Sequence, residues 1–103
     1  MPRKTKLTKE LQDRITSVIA AGNYLEVAYR LAGISHETFY RWLRLGEQGK
    51  EPYREFHEAV KRAEAAAEAK RILVIQKASE EDWQAAAWYL ERRYPDRWGR
   101  PGR

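Results

Sequence analysis

At 103 residues the chain has room for one small domain, a modest core and at most a short tail. It has no cysteine, which excludes a disulfide framework and a thiolate metal site and suits a reducing compartment, and no run of about 18 apolar residues that would span a membrane. The formal charge of +5 sits at the ends, with +3 on residues 1–49, −1 on 50–82 and +3 on 83–103, a distribution that favours a polyanionic partner.

The first eleven residues, MPRKTKLTKEL, lack an apolar signal core, so secretion is not expected. Residues 1–7 read as a basic arm, with Arg3, Lys4 and Lys6 and no apolar periodicity. Thr8 stands where a helix cap belongs, and Leu11, Ile15, Val18 and Ile19 follow at helical spacing until Gly22 and Asn23 close the first helix. A second, short helix is expected over residues 24–32, with Leu25, Ala28 and Ala32 on one face, and Gly33 stops it. Glycine adopts the positive φ of a helix end without steric penalty, Ile34 can tuck beneath the turn, and the Ser35 hydroxyl can cap the next helix. That third helix is expected over residues 36–45, with Phe39, Trp42 and Leu43 pointing inward. His36, Glu37, Tyr40, Arg41 and Arg44 point outward, and Gly46, Gly49 and Pro52 mark the loop that follows.

Residues 52–79 form one long helical pattern, with Pro52 suited to the first helical position and AEAAAEAK high in helix propensity. Tyr53, Phe56, Val60, Ala63 and Ala67 keep three–four spacing, and opposite charges such as Arg54 and Glu58 are four apart. ILVI, residues 72–75, is apolar on every side, which implies burial from more than one direction, either within a hairpin or against other copies of the chain. Asp82 can cap a final helix over residues 83–94, in which Trp83, Ala87, Leu90 and Tyr94 share a stripe that Trp88 and Tyr89 widen. Pro95 is expected to end that helix, leaving a basic tail.

The sequence therefore predicts an all-α fold: a basic arm and three-helix domain over residues 1–49, a helical hairpin over 50–94 suited to oligomerisation, and a basic tail over 95–103. A helix, a glycine corner and a second helix with a polar outer face make a helix-turn-helix pattern. One departure is Tyr29, four residues before the glycine, where this pattern usually carries a small side chain. On double-stranded DNA the second helix of such a pair enters the major groove, which makes Ser35, His36, Glu37, Tyr40, Arg41 and Arg44 the candidate contacts. Lys4 and Lys6, with Lys9, are then placed to follow phosphates or a neighbouring minor groove. No catalytic set accompanies them: His36 and His57 are 21 residues apart with no nucleophile–base–acid grouping, and no phosphate-cradling glycine loop or metal-ligand cluster occurs. Neither an enzyme nor a bound metal or cofactor is expected.

AYRLAGISHETFYRWLRLGEQGKEPYREFHEAVKRAEA, followed by EDWQAAAWYLERRYPDRWGR, resembles phage terminase small subunits, from about Leu7 to Arg100. The closing DWQAAAWYLERRYPDRWG is the more distinctive part. The resemblance implies a DNA-packaging role in the cytoplasm of a bacterial host: recognition of viral DNA, assembly into a homo-oligomer, and transfer of the DNA to a terminase large subunit that holds the ATPase and nuclease. By that likeness residues 35–44 would face DNA, 53–94 would mediate assembly, and the tail would meet the large subunit or DNA. Two other readings fit the residues: a phage or mobile-element transcription regulator acting as a dimer, and a helical adaptor that binds only protein.

Overall fold

A computed structural model describes residues 6–101, and these form six helices and no strand: α1 (Lys9–Ala20), α2 (Leu25–Leu31), α3 (His36–Glu47), α4 (Tyr53–Ser79), α5 (Trp83–Arg93) and α6 (Pro95–Trp98). The chain divides into two compact units, residues 1–68 and 69–103, with the division inside α4.

In the first unit the caps lie where the polar residues foretold. Thr8 Oγ1 accepts the Leu11 N–H at 3.1 Å, and Ser35 Oγ accepts the Thr38 N–H at 3.1 Å. The C-terminal ends of α1, α2 and α3 share one device, a glycine of positive φ just past the helix (Gly22, Gly33 and Gly49). After α2 the Gly33 N–H bonds the Arg30 carbonyl and the Ile34 N–H bonds the Tyr29 carbonyl, both at 3.1 Å. These paired bonds define a Schellman end, which satisfies carbonyls the helix would otherwise leave unpaired.

The core of this unit joins Ile15 and Ile19 of α1, Ala28 and Tyr29 of α2, Ile34 of the turn that follows, Phe39 and Trp42 of α3, and Phe56, Val60 and Ala63 of α4. The first half of α4, assigned by the sequence reading to the hairpin region, thus belongs to the N-terminal core. Phe39 and Trp42 both meet the Phe56 ring edge to face, with centroids 5.8 and 5.6 Å apart, a favoured aromatic geometry. α3 is longer than expected, because Gly46 is not a loop residue: it is buried within the helix, with the Tyr53 carbonyl and the His57 Cβ against the place where a side chain would stand. Pro52 stands immediately before α4 rather than as its first residue.

In the second unit Asp82 caps α5 as expected, its Oδ1 accepting the Gln84 N–H at 2.9 Å. Val74, Ile75 and Ala78 of α4 line one apolar cleft of about 290 Å³ with Ala85 and Trp88 of α5. Three expectations are corrected here. ILVI is not buried all round: Ile72 and Ile75 are half-buried, but Leu73 and Val74 are 69% and 61% exposed. The more sheltered side of α5 consists of Ala85, Ala86, Tyr89, Leu90 and Glu91, whereas Trp83, Ala87 and Tyr94 are exposed. α5 ends before Pro95 as expected, but where only a basic tail was expected Pro95 begins α6, the first-turn position that its missing N–H suits.

Candidate nucleic-acid interface

Six of the eight candidate residues come together on α3 and its cap. Gly33, with φ +78°, turns the chain sharply after α2, and Ser35 starts α3 two residues later. The Ser35 hydroxyl is fully engaged at that start: besides accepting the Thr38 N–H, it donates to Thr38 Oγ1 at 3.0 Å. Its role is therefore to set the leading end of the helix. Glu37 lies in the first turn, where the helix dipole favours a negative charge.

From there the helix divides cleanly. Phe39, Trp42 and Gly46 are buried on one side; His36, Glu37, Tyr40 and Arg44 are exposed on the other, and Arg41 is half-buried between them. Tyr40 is 37% exposed, its ring edge-on to Phe39 at 5.1 Å and tilted against His36 at 4.6 Å.

The charges are distributed unevenly. On α1 and α4 several cations are paired with carboxylates: Lys9 with Asp13 at 3.3 Å and Glu55 at 3.8 Å, Arg54 with Glu51 at 2.6 Å and Glu58 at 3.5 Å, and Lys61 with Glu64 at 3.7 Å, whereas Arg14 and Arg62 on the same helices form no ion pair among the described residues. The Glu51 hydrogen bond, first among several causes, raises the Arg54 pKa above its ordinary value. Neither Arg41 nor Arg44 forms an ion pair among the described residues, although Glu37 stands four residues before Arg41. Two guanidinium forks with no ion-pair partner among the described residues are suited to bidentate recognition of phosphate oxygens or of guanine O6 and N7.

Lys6 is exposed ahead of α1, on a different element from the other candidates. Lys4 lies outside the described residues. Lys9, expected to follow phosphates, is held between two carboxylates instead. Sequence reasoning missed one participant, Tyr29. Its side chain is buried and its phenol oxygen lies 3.1 Å from His36 Nδ1. The signal was present, since Tyr29 was the one residue at odds with the motif. Burial, followed by the negative charge of Glu26, pushes its phenol pKa above the ordinary value. Among the described residues no group of three or more His, Cys, Asp or Glu side chains is placed to hold a metal, and no helix is long and apolar enough to cross a membrane.

Comparison with family models, with curated proteins and with solved structures finds no match for this chain.

Proposed function

We propose that this chain is a sequence-recognising DNA-binding protein without catalytic activity of its own, the small subunit of a phage DNA-packaging terminase, acting in the bacterial host cytoplasm beside a separate large motor and nuclease subunit. The observation that carries the DNA reading is the outer face of α3, where Arg41 and Arg44, three residues apart, both lack ion-pair partners among the described residues, unlike Lys9, Arg54 and Lys61. The terminase assignment rests on the sequence resemblance. Self-association is supported by the second unit, where the large apolar side chains Leu73, Val74, Trp83 and Trp98 are all exposed.

The test is duplex binding by the full chain across a salt series. Arg41→Ala with Arg44→Ala weakens binding and lowers the slope of log affinity against log salt by about 0.9 for each phosphate that is no longer neutralised, whereas Lys9→Ala leaves that slope unchanged. A wild-type chain that binds no duplex at low salt, or a double variant that binds as tightly as wild type, overturns the DNA reading. Light scattering addresses the assembly: a closed multi-subunit ring fits packaging, and a dimer fits the transcription regulator.

A further inference from the structure

Tyr29 is 5% exposed, and its phenol oxygen has one hydrogen-bond partner among the described residues, Nδ1 of His36 across the glycine corner at 3.1 Å. The direction of that bond follows from satisfaction. If Nδ1 carried the proton and donated, the phenol hydrogen would lack a protein acceptor; if the phenol donates, both atoms are served. The raised phenol pKa, which burial causes first, keeps that hydrogen in place through the neutral range. A neutral imidazole that accepts at Nδ1 carries its proton on Nε2. The ring is also held from the side, by Tyr40 at 4.6 Å, while Tyr40 in turn stands edge-on to Tyr29 at 6.4 Å.

We propose that Tyr29 is a positioning residue that locks His36 as an Nε2–H donor at the leading end of α3, so that this end of the helix recognises a hydrogen-bond acceptor on the duplex. The inference rests on the DNA reading above and deepens it. An unconstrained neutral histidine can exchange tautomers and so present Nε2 either as a donor or as an acceptor. A histidine fixed in this way selects guanine O6, thymine O4, purine N7 or a phosphate oxygen, and it rejects the amino groups of adenine and cytosine. The phenol reaches the duplex only through His36.

Two measurements test it. The first is the imidazole nitrogen spectrum of the free full-length protein at about pH 8.5, above the ordinary histidine range. His36 is expected as the Nε2–H form in the wild type and as a mixture in Tyr29→Phe, which keeps the ring and loses the hydroxyl. An Nδ1–H form in the wild type, or an unchanged spectrum in Tyr29→Phe, overturns the proposal. The second is binding to short duplexes selected by the wild type from a randomised library. His36→Ala is expected to cost about tenfold, roughly one good hydrogen bond, and Tyr29→Phe a smaller factor that vanishes in the His36→Ala background. Equal losses from Tyr29→Phe in both backgrounds overturn the proposal. A loss from His36→Ala confined to one base position assigns the acceptor to a base edge, and a uniform loss across sequences assigns it to phosphate, both supporting a donor. A wild type that binds no duplex removes the DNA reading and the recognition role with it, while the tautomer measurement still reports on the Tyr29–His36 linkage.

Discussion

The backbone carbonyl of Tyr53 lies where a side chain on Gly46 would have to go. Gly46 is inside α3 and Tyr53 opens α4, so the two helices approach at a point where only a hydrogen atom fits. The His57 Cβ, 2.6 Å from the same point, closes the other side. Neither obstacle is the flexible end of a long side chain, so relief requires the helices to move.

Gly46→Ala is therefore expected to destabilise the protein by about 1–3 kcal/mol, the usual cost of overpacking, despite the better helix propensity of alanine. Urea unfolding followed by circular dichroism measures it. A stabilised variant would show that the contact yields freely.

Gly33→Ala is expected to cost about 1–2 kcal/mol for a different reason. A Cβ there would meet nothing within 4 Å, so the whole penalty comes from placing an L-residue at φ +78°. Gly33→Asn should recover part of the loss, since asparagine tolerates that region better; Gly46→Asn should recover nothing. Running both pairs by thermal melting separates conformational strain from collision.

Two aromatic residues should behave oppositely on truncation. Phe39 is fully buried between Tyr29, Tyr40 and Phe56, and Phe39→Ala is expected to cost about 3–5 kcal/mol. Tyr24 is 85% exposed just before α2, and Tyr24→Ala should stay within about 0.5 kcal/mol of wild type. Denaturant midpoints of the two variants check both values.

Tyr29 gives stability a dependence on alkaline pH. Its phenol pKa in the folded state is raised above the ordinary 10.0, mainly by burial, so the unfolded chain ionises first. The contribution is complete below about pH 10 and is lost as pH rises through the folded value. Stability of the wild type minus that of Tyr29→Phe should be flat up to that point and fall beyond it. The difference isolates Tyr29 from the lysines and other tyrosines that titrate nearby, and a flat difference throughout would refute it.

Much of the fold was legible in the sequence because it is set locally. Thr8, Ser35 and Asp82 cap helices through bonds to residues two or three positions away, and Gly33 turns the chain through its own φ. What escaped depends on partners distant in the chain. Gly46 looked like loop punctuation, because its meaning is the closeness of α4. ILVI was expected to be enclosed, yet Leu73 and Val74 face outward, since composition records the wish for burial without saying what supplies it. At the candidate interface the outward set on α3 followed from its 3.6-residue period. The phenol that braces His36 did not, because it comes from a neighbouring helix and the motif offers no place for it.

Tyr29 uses two of its polar groups at the same corner. Its carbonyl receives the Ile34 N–H and so closes the turn, while its hydroxyl holds the imidazole seven residues on. One side chain and its own backbone thus fasten both the bend before α3 and the first ring of that helix.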